Sequence, residues 1–219
     1  AGYELFENPE EIEIDFLIMG SANYSKEGAA AIANKLIEVA ELRKDAVAFI
    51  SPYRGAFLTD DALNPTSEIL AKITGYYAPV TSSSFAVLDS GYKYTFDRFN
   101  KEFRWVPMNA DIAGLCARTD INNFPWYSPA GTSRGAILNA VKLAFNPGKR
   151  ARDELYSNRI NPITFNPGGG IILFGDKTGL AKASAFDRIN VRRLFIFLEK
   201  AISAAARDQL FEFNDDITR

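Results

Sequence analysis

Three short apolar runs, separated by stretches of helical periodicity, narrow the folds open to this chain. Ile12 to Met19 begins with alternation and finishes fully apolar, as a strand covered on both faces does. Ser25 can cap a following helix to about Arg43, whose apolar stripe is Ala29, Ile32, Ala33, Leu36, Ile37, Val39 and Ala40. Ala46 to Ser51 reads as a second strand, Pro52 to Asn64 as a loop, and Thr66 or Ser67 as the cap of a shorter helix to about Tyr76. Ser84 to Asp89 is a third strand. The order βαβαβ predicts parallel pairing with a right-handed crossover and a three-layer α/β core. Residues 1–11 are polar and acidic and form a lead-in.

The texture then changes. Tyr92 to Asp97 and Glu102 to Pro107 are aromatic and alternating, joined by a short loop, and predict an antiparallel hairpin with one aromatic face. Asn109 can cap a helix from Ala110 to about Arg118, and Asp120 to Arg134 reads as a loop. For Ala136 to Ala144, propensity leaves helix and strand both open. Asn146 or Pro147 opens a charged helix from Gly148 to about Asn158. Beyond it, Ile163 to Phe165 and Ile171 to Phe174 flank Asn166-Pro167-Gly168-Gly169-Gly170, a turn composition. A long helix follows, with Asn190 as its cap and Val191, Leu194, Phe195, Phe197, Leu198, Ala201, Ile202, Ala205 and Leu210 mostly on one broad face. The fold class is α/β: a three-layer sheet with flanking helices, an aromatic β-hairpin, and a C-terminal β-hairpin plus long helix. Residues 1–147 form the α/β body and 148–219 an α+β part of the same body.

Composition removes several function classes. The chain has 219 residues and no histidine, so every Ser-His or Cys-His dyad is excluded and the commonest zinc ligand is missing. A formal net charge of −2 does not suit nucleic-acid binding. No apolar run approaches the ~20 residues that span a bilayer, and no signal peptide is visible. The single cysteine, Cys116, rules out an intrachain disulfide, suits a reducing compartment and reads as a small buried apolar residue.

Four constellations resemble chemistry. Gly170 to Thr178 nearly matches a phosphate loop, but Asp176 stands between the second glycine and Lys177, a carboxylate where phosphate oxygens would sit, and the intervening residues are bulky and apolar. Gly20-Ser21-Ala22-Asn23 occupies the first strand-to-helix turn, where doubly wound folds bind phosphate, yet has one glycine and no GxGxxG; an ordinary loop is the better reading. Asp15, Asp60, Asp61 and Asp89 are candidate metal ligands that nothing in the sequence brings together. Ser128 and Ser133 lack a histidine partner. No catalytic, cofactor-binding or metal-ligating residue is assigned.

Gly175-Asp176-Lys177-Thr178, Ser184-Ala185-Phe186, Ile189-Asn190-Val191-Arg192-Arg193-Leu194-Phe195 and Leu210-Phe211-Glu212-Phe213-Asn214-Asp215, in that order, resemble the C-terminal region of contractile-phage tail sheath proteins. Trp126 to Gly131 and Arg134-Gly135 resemble the family at their own place. The resemblance is dense from about Lys101 to Asp215 and thinner before. It implies a structural subunit, not an enzyme, from the C-terminal side of a longer protein. Its partners would be other sheath subunits in a helical tube, the inner tail tube, the baseplate and the tail terminator, with no nucleic acid, membrane insertion or cofactor. Its place would be the virion tail, and the host cytoplasm during assembly. Contraction would drive the tube through the host envelope. Family members carry outer domains inserted into an α/β body and terminal arms that add strands to neighbouring subunits; without arms the chain should be soluble and largely monomeric. The helix from Asn190 to Leu210 is the expected tube-facing element, with Arg134, Arg192, Arg193, Glu199, Lys200 and Arg207 as candidate inter-subunit or tube contacts. The aromatic loop is expected to pack on its own domain or on a neighbour, and Arg192 and Arg193 to bind anions or pair with Asp187, Glu199 or an adjacent subunit. The alternatives are an α/β nucleotide- or metal-binding enzyme domain and an adhesin-type metal-binding module. The latter needs Asp-x-Ser-x-Ser after the first strand, where this chain has Met19-Gly20-Ser21-Ala22-Asn23.

Overall fold

The computed structural model describes residues 2–21, 25–168, 170–207 and 209–211. After a 3-10 turn at Tyr3–Phe6, the chain forms β1 (Phe16–Ile18), α1 (Lys26–Arg43) and β2 (Val47–Ile50). The Gly28 amide donates to the Ser25 hydroxyl at 3.2 Å, the expected cap. The first strand is shorter than its apolar run, because residues 12–14 form no ladder; the Arg43 guanidinium donates to the Ile12 carbonyl instead. The expected loop at 52–64 holds a 3-10 turn and a two-residue ladder, β3 (Leu58–Thr59) with β4 (Ala62–Leu63). Helix α2 (Thr66–Tyr77) is capped at Pro65 with no side-chain bond, so neither Thr66 nor Ser67 is its cap. Then follow β5 (Ala86–Asp89), β6 (Tyr92–Asp97), β7 (Glu102–Pro107) and α3 (Asn109–Asn122).

Helix α3 runs four residues past its expected end and absorbs the start of the expected loop. Asn109 does not cap it; its side-chain amide donates to the Gly20 carbonyl at 2.9 Å. The undecided stretch after it is extended: Ala136 bridges to Ile172, and β8 (Lys142–Leu143) pairs with β6. The remaining elements are α4 (Lys149–Ser157), β9 (Ile160–Asn161), β10 (Ile163–Asn166), β11 (Gly170–Leu173) and α5 (Ile189–Arg207). The C-terminal hairpin forms as expected, Ile163 opposite Leu173 and Phe165 opposite Ile171.

The central sheet has the order β1-β2-β5-β9, and every pair in it is parallel. Its third pair brings Asn161 beside Asp89, so the C-terminal part contributes a strand to the same sheet. Side chains alternate across it, as the period of two requires. Ala48, Ile50, Ala86 and Leu88 face a core shared with α1, α2 and Leu155 of α4. Val47, Phe49 and Val87 face a second core built from α3, the C-terminal hairpin, Ile189 and Ile196. Both faces are covered, which explains why β2 and β5 read as continuous apolar runs.

The aromatic hairpin leaves the sheet after Asp89. Tyr94 stands opposite Trp105 and Phe96 opposite Phe103, and Tyr94 stacks on Phe103 with centroids 5.3 Å apart. Lys142 of β8 lies over Tyr94 at 4.8 Å. At the hairpin's base, buried Lys93 donates to Asp111 of α3 at 2.7 Å.

Candidate assembly surface

Helix α5 is fastened at its N-terminal end. The Ile189 amide donates to the Asp176 carbonyl at 2.8 Å, and Arg188 donates to the Asp176 carboxylate and to the Tyr156 hydroxyl, each at 2.6 Å. The Asp176 carboxylate in turn raises the pKa of Arg188. Asn190 lies inside the helix rather than at its cap, and its side chain donates to the Trp126 carbonyl at 3.1 Å.

Arg192 and Arg193 bind inside the chain. The Arg192 guanidinium lies between the rings of Phe85 (4.2 Å) and Phe186 (4.0 Å) and donates to the Ser84 hydroxyl at 2.7 Å. Burial there pulls its pKa below the usual arginine value, with Glu199 opposing. Arg193 is buried, ion-paired with Asp120 of α3 and set over the Phe16 ring. Asp187 pairs with Arg188 instead. Arg134 donates to the Ser128 carbonyl at 2.7 Å and covers Tyr127, and Arg118 donates to the carbonyls of Arg134 and Ala136. The aromatic loop therefore packs on its own chain, although Trp126 and Tyr127 keep about two-fifths of their surface exposed. Lys200 donates to Asp15 at 2.6 Å and to the Ile14 carbonyl, holding the lead-in. Glu199 and Arg207 are exposed.

The rest of α5 stands away from the body. Among its described residues only Ile189, Arg193 and Ile196 are buried. Phe197, Leu198 and Ile202 are exposed, and so is every residue from 201 to 207. The apolar positions read as one face are thus mostly unburied within the chain. The described helix ends at Arg207, Leu210 lies in the turn beyond, and residues 212–215 lie outside the described residues. Between α5, the start of β1 and the residues after α3 lies an aromatic cleft of about 550 Å³.

The near-phosphate loop has a structural use. Gly170–Leu173 is strand, and the Lys177 ammonium donates to the Tyr156 carbonyl at 2.9 Å while covering that ring. Asn161 anchors the segment: its side chain accepts from the Lys177 amide at 2.8 Å and donates to the Leu88 and Lys177 carbonyls. Part of the 20–23 turn lies outside the described residues. The four candidate acids are dispersed: Asp15 pairs with Lys200, Asp61 with Arg54, Asp60 sits at positive φ in the β3–β4 turn, and Asp89 is buried. Among the described residues no group of three or more acids or cysteines converges as a metal site. Ser128 donates to Asp176 at 3.2 Å. Cys116 is buried in α3, and burial pushes its thiol up to about 11. Asn161, Tyr156 and Arg188 escape sequence reasoning, since each acts through partners distant in the chain; the Gly175 to Thr178 run is the one signal that points to them, through Asp176 for Tyr156 and Arg188 and through Lys177 for Asn161.

The family model described as phage tail sheath protein central domain matches residues 4–179. The chain belongs to the phage tail sheath family. The match reaches back to the lead-in, where the sequence resemblance is thin. The tail sheath protein of Vibrio phage KVP40 is 42% identical over 229 residues, covering 100% of this chain and 34% of that protein. The tail sheath protein of Enterobacteria phage T4 is 39% identical over 223 residues, covering 99% and 34%. The sheath-family chain thus spans about a third of the length of the curated relatives it matches. Among solved structures it is similar to a chain of the anti-feeding prophage baseplate (TM-score 0.71, 20% identity, 100% of this chain and 53% of that one). It is also similar to the anti-feeding prophage helical sheath in its contracted state (TM-score 0.68, 20% identity, 95% and 51%). These likenesses concern the sheath fold.

Proposed function

We propose that this chain is part of the body of a structural subunit that polymerises into a contractile phage tail sheath. The observation that carries the reading is α5, fastened at one end by Arg188, Arg192 and Arg193 and presenting Phe197, Leu198, Glu199, Ile202 and Arg207 outwards. A monomer has little use for such a surface, and a repeating assembly does. The partners on this reading are other sheath subunits, the inner tail tube, the baseplate and the tail terminator, with α5 turned to the tube. Residues 1–147 and 148–219 move as one body. Subunits assemble in the host cytoplasm into an extended tube, which shortens as bodies re-pack between two arrangements and drives the inner tube through the host envelope. Arg134, Arg192 and Arg193 then act mainly by shaping the body, while Glu199, Lys200 and Arg207 are the direct contact candidates. No catalytic step or cofactor is part of this function.

Negative-stain electron microscopy of the complete gene product that carries this sequence, expressed alone, tests the proposal. Long striated tubes are expected. Dispersed particles across protein concentration and salt would sink it.

A further inference from the structure

The parallel sheet has two ends, and the molecule carries an aromatic knob at one and an aromatic cleft at the other. The chain leaves β5 at Asp89 into the β6–β7 hairpin, whose six-residue strands extend about 20 Å at ~3.3 Å per residue. At its tip Phe99 is 97% exposed. The tip is fixed rather than loose: Asp97 accepts from the amides of Phe99 (2.9 Å) and Asn100 (3.3 Å) and from the Asn100 side chain (2.7 Å), and pairs with Arg104 at 3.1 Å. These bonds hold the Asp97 carboxyl below its ordinary pKa. Phe96 and Phe103 continue the apolar surface behind the knob, each close to half exposed.

The cleft opens where strands enter the sheet. Phe16 and Val47, first residues of the paired β1 and β2, line it. Its aromatic walls are Phe124 and Trp126, stacked with centroids 4.5 Å apart, and Phe197 of α5. At its lining Asp15 is paired with Lys200 and Asp120 with Arg193, so the cleft's own charges are matched. Of the six carboxylates in residues 2–21, Glu4 and Glu7 pair with Lys35, while Glu10, Glu11 and Glu13 are exposed in the lead-in that runs into the cleft at Asp15. Phe99, by contrast, is flanked by Arg98 and Lys101.

Resting on the sheath reading above, we propose that Phe99 of one copy seats in the Phe124–Trp126–Phe197 cleft of the next copy. The ring fills an aromatic cavity, and Arg98 and Lys101 meet the exposed Glu10, Glu11 and Glu13 of the lead-in. Knob and cleft lie at opposite ends of one sheet, so a chain cannot satisfy its own cleft. The contact is heterologous, and a heterologous contact that does not close propagates as a helix. Preorganisation of the tip reduces the ordering entropy that docking a loop otherwise loses.

Disulfide trapping tests this on the 219-residue chain. An Arg98→Cys chain is mixed with a mass-labelled Asn123→Cys chain and oxidised gently; buried Cys116 contributes little background. Cross-linked heterodimer is expected several-fold above that from Arg98→Cys mixed with Leu42→Cys, an exposed position on α1. Adding Phe99→Asp to the Arg98→Cys chain should bring the yield down to that control, with circular dichroism unchanged because Phe99 packs on nothing in its own chain. A yield equal to the control, or one indifferent to Phe99→Asp, overturns the proposal. Tubes from the complete gene product without the cross-link would remove this contact and leave the sheath reading standing.

Discussion

Arg193 of α5 is ion-paired with Asp120 near the end of α3, with the arginine side chain 7% exposed and the aspartate 32%. The pair joins the projecting helix to the layer beneath it. Arg193→Met leaves Asp120 without its counter-ion and should destabilise the chain by about 2 kcal/mol, below the ~3–5 kcal/mol of a fully buried broken pair because Asp120 is partly hydrated. Arg193→Met combined with Asp120→Ala should recover much of that loss. Urea unfolding of the three variants checks it; additive losses would show that the two side chains do not act together.

Asp89 gives the fold a pH dependence opposite to that of a salt-bridged carboxylate. Burial pushes its pKa from 3.8 up to about 7, against the hydrogen bonds from Ser51 at 2.6 Å and the Gly91 amide at 2.8 Å. The folded state holds the proton more tightly than the unfolded chain, so the proton's stabilisation is greatest below pH 4, falls as pH rises towards 7 and is then exhausted. By linkage the span is at most about 4 kcal/mol. Asp89→Asn can keep both hydrogen bonds, and should flatten this part of the curve between pH 5 and 7. Thermal melts of both proteins across that range measure it, and parallel curves would assign the slope elsewhere.

Arg192 is held by its shape as much as its charge. A flat guanidinium between Phe85 and Phe186 cannot be copied by an ammonium. Arg192→Lys keeps the charge and should still lower stability by about 1–2 kcal/mol. Chemical denaturation gives the value, and a neutral result would mean that charge alone suffices.

Two glycines should respond differently to alanine. A Cβ at Gly91 would lie 2.5 Å from a terminal carbon of Ile163 and 2.7 Å from the Met108 sulfur, both on flexible side chains. At Gly135 it would meet backbone only, the Gly131 carbonyl oxygen at 2.7 Å, the Gly131 nitrogen at 2.8 Å and the Leu173 carbonyl oxygen at 2.9 Å. Gly91→Ala should cost about 1–3 kcal/mol as side chains repack. Gly135→Ala should cost more, because the loop must leave β11. Melting temperatures in the reverse order would refute this.

Much of the core was legible because burial on both sheet faces demands unbroken apolar strands, and β2 and β5 supply them. The aromatic hairpin was legible because alternation from Tyr92 to Pro107 has no helical reading. Helix starts were legible at Ser25, which caps α1 as expected, but not at Asn109 and Asn190, cap-type residues whose amides serve Gly20 and Trp126, partners 89 and 64 residues away. The fates of Arg192 and Arg193 were hidden for the same reason, since Ser84 and Asp120 come near them only through the tertiary fold. The apolar stripe of α5 was visible, but periodicity cannot tell a face buried in its own chain from one left open.

Consecutive residues on a helix point about 100° apart, so Arg192 and Arg193 grip different sides of α5, one in the Phe85–Phe186 slot and the other on Asp120. A single anchor would let the rod swivel. Two at this angle resist both roll and sideways tilt, and the seven exposed residues from 201 to 207 form a cantilever about 10 Å long at 1.5 Å per residue. A load on its free end becomes torque on the body, and a turn of the body becomes a displacement of that end.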